Sequence, residues 1–373
     1  MALCRDVPFD EYAISPLTLA AINELNGLGT TFKGVTPVTP DNLFRSRFFG
    51  VQTGPYISQF MYLNTTYGIN TVDQRLNPPV AGLDFMTNYT EFLNVQNGQT
   101  PTGVESLNGT LRFMYTGRDI SHWVHRDMLF QAYHVAAMIL MDTLNVPYNP
   151  TNPYLNIAYS NQQGFATFGP PMVSTMVTEV ATRALQAVWY QKWFVHRRLR
   201  PEAYGGFVDR NKNAAGTFPI HSSATSSQAC TQLNLKHGSC LVPQAFTEGS
   251  PMHPSYGAGH ATVSAACVTI LKALFDGSYV IPNPMMPDPF TGGQTLVPYV
   301  GPSLTVEGEL NKVSANVGIG RNIAGVHWRS DYDASVYLGE QVAIQMLKDY
   351  KPTFNEGFVG WSFRGFDGNL IYI

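Results

Sequence analysis

Residues 257–277 read GAGHATVSAACVTILKALFDG, and the kind of fold to expect follows most directly from this stretch. Apolar residues recur at intervals of three and four over residues 260–275, which predicts a helix. Two glycines precede the predicted helix and one follows it, as is common where helices begin and end. The stretch therefore indicates a helical protein.

The same periodicity appears in other segments of the 373-residue chain. These further predicted helices cover residues 16–25, 120–144, 172–198, 307–319 and 333–348. The Gly-rich stretch 318–325 is expected to lead into the last of them. We find no internal repeat and no run of alternating strands, so the predicted fold class is mainly α, a helical bundle with long loops.

Long connections separate the predicted helices. Residues 145–163 are rich in Pro and Asn, and residues 202–254 are predicted to form one long loop. A loop of that length in a compact chain is usually functional or part of an interface. The simplest organisation is one domain over residues 1–373, with a loop-rich N-terminal part at 1–115 and a bundle at 116–373. The abrupt start leaves open a missing native N-terminal portion.

Charged residues make up only 13% of the chain, about half the usual share for a soluble domain. Much of the surface is therefore neutral or covered by other copies, which predicts a homo-oligomer. The net charge of −3 gives no reason to expect a nucleic-acid partner. No apolar run reaches the roughly 18 residues of a membrane span. No signal peptide is recognised, but secretion or a periplasmic or cell-wall location stays open.

The cysteines do not form a metal-binding motif or a disulfide framework. Cys230 and Cys240 flank a polar segment, and both the bonded and the free state stay open for this pair. Cys267 lies on the apolar face of a predicted helix and is expected in the core.

A cluster of basic residues ends the helix predicted at 172–198. On one continuous helix, Lys192, His196 and Arg200 would fall near one face, with the first and last about 12 Å apart along the axis. Both outer side chains are long enough to converge on one ligand. The alternative is a solvated basic helix end, which the helix dipole favours.

The segment HPSYGAGHATV at 253–263 places small residues just before a helix. The backbone can then approach an anion closely, and the free N–H groups of the first helical turn point at it. His260 stands at this position, where an imidazole can pass protons. The alternative is a glycine-rich turn that only begins the helix.

A third segment carries Arg321, His327 and Asp331. The planar guanidinium suits an oxyanion, and the aspartate could orient the histidine or simply favour the helix start. A purely structural histidine is the alternative. Taken together, the three segments supply three cations, a helix N-terminus and two imidazoles, which suits a tetrahedral or five-coordinate oxyanion.

At this point the chain resembles the vanadium-dependent haloperoxidases, which are related to bacterial acid phosphatases. The motifs that carry the resemblance are Lys192…Arg200-Pro201, Ala258-Gly259-His260 and Arg321-x5-His327-x3-Asp331. Seven residues separate the lysine and the arginine, as in the algal and cyanobacterial bromoperoxidases, whereas the phosphatases and fungal chloroperoxidases usually have six. His253, seven residues before His260, also fits the bromoperoxidase branch. The resemblance implies a helical bundle of the vanadium haloperoxidase and acid phosphatase type.

The resemblance also implies a function, the oxidation of halide by hydrogen peroxide to hypohalous acid, which halogenates a small organic acceptor. Vanadate would be the cofactor, acting as a Lewis acid, with His327 as the ligand of the metal. His260 would exchange protons with peroxide and water, and Lys192 would polarise the peroxide. The residues implied to hold vanadate are Lys192, Arg200, Gly259, His260, Arg321 and His327. A structural calcium ion in residues 145–163 is a further implication, although carboxylates are nearly absent there.

Two positions depart from the pattern of the relatives, and both belong to the candidate halide pocket, which comprises Trp189, His253 and Ala258. Ala258 stands where Ser is usual, so a hydroxyl hydrogen bond is lost and lower activity or a preference for easier halides is expected. Trp189 resembles the fungal chloroperoxidases, while red algal bromoperoxidases tend to carry Arg. Bromide is the expected halide, with chloride open because an aromatic wall lowers local polarity. A core tryptophan is the alternative.

Two other functions stay open from the sequence. In a soluble acid phosphatase, His327 would form a phosphohistidine and His260 would protonate the leaving group. The seven-residue spacing and His253 argue against it. The third possibility is an oxyanion-binding or assembly protein without catalysis, which Ala258 and the low surface charge motivate.

Overall fold

Helices α1 to α11 dominate the computed structural model, which describes residues 1–28 and 37–373. They are α1 (Pro16–Gly27), α2 (Tyr89–Gln96), α3 (Gly117–Arg126), α4 (Gln131–Met138), α5 (Pro170–Tyr190), α6 (Pro201–Asn213), α7 (Ser222–Thr225), α8 (Gln228–His237), α9 (Gly259–Leu274), α10 (Val306–Ile323) and α11 (Arg329–Tyr350). A π-helical turn, Gln191–His196, continues α5, and another, Ile139–Thr143, continues α4. The mainly α prediction is confirmed.

Helix α9 lies at the centre of the bundle. Every residue from 261 to 274 is buried, and α5, α10 and α11 pack around it. Helix α11 approaches α9 closely because Gly339 of α11 has no side chain. A Cβ at this position would lie 2.1 Å from the carbonyl oxygen of Thr262 in α9. The helix predicted at 260–275 is thus confirmed, and burial on all sides explains why its sequence is apolar almost throughout.

Two of the other predicted helices differ in extent from the structure. The segment 120–144 is broken at 127–130, between α3 and α4. The glycines of 318–325 do not all form a connection, because α10 continues to Ile323. Gly318 and Gly320 are needed for packing there, since a Cβ would lie 2.4 Å from Tyr332 and 3.0 Å from Ile120, respectively.

The prediction of a long loop at 202–254 is wrong. Helices α6, α7 and α8 occupy much of this segment. Pro201 does not only follow the end of one helix but stands in the first turn of α6, where its missing N–H costs no hydrogen bond. Cys230 and Cys240 are joined in a disulfide, which settles the alternative left open above. Cys267 is buried in the core, as predicted.

Short antiparallel pairs form the strands of the described chain. They are β1 (Thr65–Tyr67) with β2 (Asn70–Val72), β3 (Met285–Pro287) with β4 (Leu296–Pro298), and β5 (Ser362–Arg364) with β6 (Leu370–Tyr372). The predicted division of the chain at residue 115 stays a prediction, and residues 29–36 of its first part lie outside the described residues. Among the described helices, none has the length and apolar character to cross a membrane.

Candidate active site

A cavity of about 290 Å³ opens where the C-terminal end of α5, the N-terminus of α9 and the C-terminal end of α10 meet. Its wall includes most of the site residues predicted from the sequence: Trp189, Lys192, His253, Gly259, His260, Arg321 and His327. Arg200 reaches the site through its contact with His327, whereas Ala258 is buried and is not part of the wall. His196 is exposed, with its ring edge against Tyr256.

Lys192 is fully buried in the π-helical turn that follows α5. Its Nζ donates to the carbonyl oxygens of Pro254 at 2.7 Å and Ser255 at 3.3 Å. Burial, followed by the neighbouring charge of Arg200, lowers the pKa of Lys192 from 10.5 to about 7. No carboxylate compensates this ammonium group by a direct bond within the described residues.

Arg200 is not on the same helix as Lys192, so the prediction of one shared helix face is wrong. Arg197 adopts a left-handed conformation that ends the π turn, and Arg200 is the N-cap of α6. Its guanidinium donates to the carbonyl oxygens of His253 at 3.0 Å and Val326 at 2.8 Å. Tertiary folding, rather than helical periodicity, brings the two cations together.

The same guanidinium holds two imidazole rings. Nη1 of Arg200 lies 3.0 Å from Nε2 of His327, and Nη2 lies 3.0 Å from Nδ1 of His253. Burial and the charge of Arg321 lower the pKa of Arg200 to about 10. Arg200 is still charged at neutral pH and donates to both rings, which favours their neutral forms.

Arg321 enters the cavity from the end of α10. Its Nη1 donates to the carbonyl oxygen of Val124 at 2.9 Å, and the guanidinium lies over the ring of Phe246 at 5.2 Å. Its Nε is buried without a hydrogen-bond partner among the described residues. Burial lowers the pKa of Arg321 to about 10. A buried donor without a partner is costly, so this nitrogen is suited to an acceptor from outside the chain.

His327 is oriented by Asp331, as one of the sequence alternatives predicts. Nδ1 of the ring lies 3.0 Å from Oδ2 of the carboxylate, which also accepts from the backbone N–H of Trp328 at 3.0 Å. The aspartate therefore both orients the histidine and caps the N-terminus of α11. Burial, followed by the charge of Arg200 and then that of Lys192, lowers the pKa of His327 well below 6.5. With Nδ1–H directed at the carboxylate, the lone pair of the neutral ring is on Nε2.

His260 lies in the first turn of α9, with its side chain partly exposed to the cavity. Nε2 of the ring lies 3.1 Å from Oδ1 of Asp127. Asp127 also lines the cavity, and sequence reasoning missed it. It lies in the connection between α3 and α4, where no motif marks it. Its role becomes visible only through its contact with His260, which is far away in the sequence.

The N-terminus of α9 is open towards the cavity. Ala258, the N-cap, offers no side-chain hydrogen bond, and its own N–H donates to Oγ of Ser335 at 2.8 Å. A Cβ added to Gly259 would meet only Leu185, at an ordinary 3.8 Å. Packing within the chain therefore does not require this glycine. Its small size leaves the amides of the first turn accessible to an anion.

Trp189 and His253 form one side of the cavity, with their ring centroids 4.7 Å apart. Burial, then the charges of Lys192 and Arg200, lowers the pKa of His253 to about 3. The histidine is therefore neutral, and its neighbour Trp189 is 42% exposed at the mouth. This side of the cavity is aromatic and uncharged beside a strongly cationic floor.

The arrangement has an excess of positive charge that an oxyanion would balance. Three buried cations surround the cavity, while the aspartates nearest to them contact histidines. Within the described residues, no group of three or more His, Cys, Asp or Glu side chains could chelate a bare metal cation. The donors present suit a metal bound as an oxyanion, with one neutral imidazole nitrogen as its protein ligand.

Comparison with known proteins agrees with this geometry. A family profile described as the VCPO second helical-bundle domain matches residues 173–356. The chain is 39% identical to a vanadium-dependent bromoperoxidase of Corallina officinalis and 35% identical to one of Ascophyllum nodosum. All of this chain is aligned, with 72% and 69% of those two proteins.

A solved structure is similar over the whole chain as well. It is the second vanadate-dependent bromoperoxidase of Ascophyllum nodosum, a homohexamer. The TM-score is 0.89 at 30% identity, and the match covers 100% of this chain and 68% of that one.

Proposed function

The chain belongs to the vanadium-dependent bromoperoxidase family, and from this premise we propose that it oxidises halide with hydrogen peroxide to hypohalous acid. Bromide is the proposed halide, and a small organic molecule is the final acceptor. The observation that carries the proposal is the trio of buried cations, Lys192, Arg200 and Arg321, around a neutral imidazole. A structural role for this many uncompensated charges is hard to reconcile with their desolvation cost.

The residues present fit vanadate. The unpartnered Nε of Arg321 and the open N-terminus of α9 are donors that lack an acceptor within the described chain. We propose that Nε2 of His327 binds the metal in place of the hydrogen bond that it accepts from Arg200. The oxygens would be held by Lys192, Arg200, Arg321, His260 and the N–H of Gly259. Bound vanadate would supply Lewis acidity that activates hydrogen peroxide for attack by halide.

The proton transfers are assigned to His260. Its ring is partly exposed in the cavity, and the bond to Asp127 holds it in one orientation. A histidine in this position can take a proton from incoming peroxide and return one to departing water. Lys192, which lines the cavity and is fully buried, is assigned the polarisation of the peroxide by its ammonium group.

Halide selection is assigned to the uncharged side of the cavity. Trp189 and the neutral ring of His253 are the residues that a halide would meet beside the cations. Ala258 is behind the wall, so its effect would come through the helix start rather than by contact with halide. Bromide is favoured over chloride because it is the more easily oxidised ion.

We also propose that the protein is a homo-oligomer. The similar solved structure is a homohexamer, and this chain exposes large aromatic side chains next to the cavity, namely Tyr190, Trp193 and Phe194. Their rings would be covered by another copy. The calcium ion expected in residues 145–163 stays a prediction.

The function is tested by assaying the purified protein, freed of metal by chelation, with and without added vanadate. Bromination of an organic acceptor that needs vanadate, peroxide and bromide together supports the proposal. Hydrolysis of a phosphate ester without vanadate would instead support the phosphatase. If neither activity is found, the result would support an oxyanion-binding protein without catalysis. The control is His327→Gln, in which a neutral amide replaces the imidazole ring and which should bind no vanadate.

A further inference from the structure

The methionines of this chain are distributed unevenly. All thirteen lie within the described residues, and only Met128 and Met252 are more than about a third exposed, at 66% and 91%. The cysteine sulfur atoms are protected, because Cys4 and Cys267 are buried and the remaining two cysteines are bonded to each other, while Met1, Met141, Met285 and Met286 are partly buried. Methionines that are mostly exposed are therefore confined to two positions.

Both positions adjoin the active-site cavity. Met128 stands between Asp127 and Leu129, which both line the cavity. It belongs to the connection between α3 and α4.

Met252 stands between Pro251 and His253, which also line the cavity. It belongs to the segment that leads from α8 to α9. The two exposed methionines thus interrupt two separate stretches of the cavity wall, each flanked on both sides by lining residues.

We propose that Met128 and Met252 are sacrificial oxidation sites that intercept hypohalous acid as it leaves the cavity, an inference that rests on the proposed function. The thioether sulfur is a soft nucleophile and is readily oxidised. The sulfur attacks the bromine of HOBr and the O–Br bond breaks, so that hydroxide leaves with the electron pair of that bond and a bromosulfonium cation forms. Water then adds its oxygen to sulfur, and bromide leaves with the electron pair of the S–Br bond, while the protons of the water neutralise the hydroxide and leave one proton over. One thioether and one HOBr thereby become one sulfoxide, one proton and one bromide ion, so sulfur loses two electrons and halogen gains them.

The residues in need of protection are the aromatic rings beside the cavity. Trp189 lines it, and Tyr190 and Trp193 are 58% and 40% exposed nearby on the same helical segment. Electron-rich rings exchange a C–H hydrogen for halogen, with water released. Methionine sulfoxide can be reduced again by sulfoxide reductases, whereas a halogenated tryptophan is permanent. Consumption of the methionines first would preserve the cavity.

Exposure alone would make any methionine susceptible to a dissolved oxidant, so the test needs a matched site away from the cavity. Val359 is 79% exposed, and its neighbour Phe358 lines a separate small cavity together with Val173, near the N-terminal end of α5. Trp189 is sixteen residues further along α5, about 24 Å at 1.5 Å per residue. The variant Val359→Met therefore supplies an exposed control thioether remote from the source.

The first experiment follows oxidation during turnover. The full-length Val359→Met protein is loaded with vanadate and supplied with bromide and peroxide, with excess free methionine to capture released HOBr. Peptide mass spectrometry then measures sulfoxide at each position. We expect Met128 and Met252 to be oxidised roughly three-fold or more above the control site. Equal oxidation at all three positions, during measured bromination, would overturn the inference and leave the proposed function intact.

The second experiment removes both thioethers. Met128→Leu combined with Met252→Leu should leave the initial bromination rate unchanged, because neither side chain belongs to the binding machinery. Inactivation during turnover should be faster, with bromine appearing on Trp189. An unchanged lifetime without brominated Trp189 would overturn the inference. Absence of bromination in the unmodified protein would overturn the proposed function and this inference together.

Discussion

Arg5 and Arg118 bury their guanidinium groups beside carboxylates, whereas Lys192, Arg200 and Arg321 bury their charged groups around a cavity. Both sets are almost completely removed from solvent. Each guanidinium group of the first cluster has a carboxylate partner within the chain. The second is held mainly by backbone carbonyl oxygens. One sequence thus shows what buried charge looks like with and without an internal counterion.

In the first cluster, Asp84 lies at the centre. Its Oδ1 is 2.9 Å from Arg5 and 3.3 Å from Arg118, and its Oδ2 is 2.9 Å from Lys236. Asp6 forms a further ion pair with Arg118. Such a cluster ties the N-terminal segment to the bundle, and removing one of the buried guanidinium groups takes away a buried partner of Asp84.

Around the cavity, burial lowers the pKa values of all three cations, to about 7 for Lys192 and about 10 for each arginine. Burial lowers the pKa of Arg5 to about 10 as well, whereas at Arg118 burial is outweighed by the bond to Asp6 and the pKa is raised. What distinguishes the cavity is that backbone carbonyl oxygens, and no carboxylate among the described residues, bond to its three cations. Folding therefore works against these charges. The comparison teaches that the active site is assembled at the expense of stability, which an incoming oxyanion would restore.

The largest effect is expected on stability, when the ion-pair cluster around Asp84 is broken. Arg5→Met removes the fully buried partner of Asp84 and leaves the carbonyl oxygens of Pro243 and Ile323 without this donor, and it should lower the free energy of unfolding by about 3–5 kcal/mol. Urea denaturation measures it. The matched variant is Arg200→Met, which should cost the oxyanion-free protein less because it also relieves repulsion. If the two variants lose the same stability, the distinction between the clusters is wrong.

The next effect concerns activity. Lys192→Met should lower vanadate-dependent turnover by roughly 100- to 1000-fold, about 2.7–4 kcal/mol, as for loss of an oxyanion-stabilising donor. The oxyanion-free protein should not be destabilised, since a buried ammonium is replaced by an apolar side chain of similar length. Initial rates and a urea titration on the same preparation test both parts. Unfolding at clearly lower urea would assign the lysine a structural role.

A slightly smaller effect is stabilisation by an oxyanion. Sulfate at 100 times its dissociation constant should raise the free energy of unfolding by about 2.7 kcal/mol. Lys192→Met is the control for general salt effects and should respond much less. Sulfate is chosen because it does not titrate in the range of interest. Equal stabilisation of both proteins would contradict specific binding at the cavity.

The same site predicts a pH dependence. The pKa of Lys192 is about 7 in the folded protein and 10.5 ordinarily, so between these values the unfolded chain binds more protons. Stability of the oxyanion-free protein should therefore rise with pH across that window. Sulfate affinity, measured by calorimetry, should instead fall as pH rises through about 7, because the lysine loses its charge. Sulfate affinity independent of pH in wild type would contradict this.

The smallest effect concerns Ala258. Ala258→Ser adds a hydroxyl at the N-cap of α9 and should tighten oxyanion binding by about ten-fold at most, roughly 1.4 kcal/mol. Sulfate calorimetry measures the affinity. A serine N-cap also stabilises the helix, so thermal unfolding of the oxyanion-free variant is the control. Greater stability without tighter binding would assign the hydroxyl to the helix alone.

The sequence was informative where function depends on short segments. Gly259 and His260 begin a helix that periodicity already indicates, and His327 and Asp331 are four residues apart, so their contact is local. The pairing of His260 with Asp127 spans 133 positions, and no local pattern encodes it. Only the packing of α3 and α10 against the bundle determines that distance.

Helix limits were predicted less well, for a physical reason. Pro201 is compatible with the end of one helix and with the first turn of another, and only the tertiary fold decides between them. The contact of Arg200 with His327 depends on that choice. The sequence thus predicted which cations meet at the cavity, but it placed Lys192 and Arg200 on one helix, whereas they belong to two helical segments.

The π-helical turn Gln191–His196 determines how the chain passes from Lys192 to Arg200. One residue added to a regular α-helix rotates everything beyond it by about 100°. A π turn takes up such an insertion locally, and π turns occur often at functional sites. With the left-handed Arg197 ending the π turn, the seven residues between Lys192 and Arg200 carry the chain from α5 to α6, so that Lys192 lines the cavity and Arg200 contacts His327.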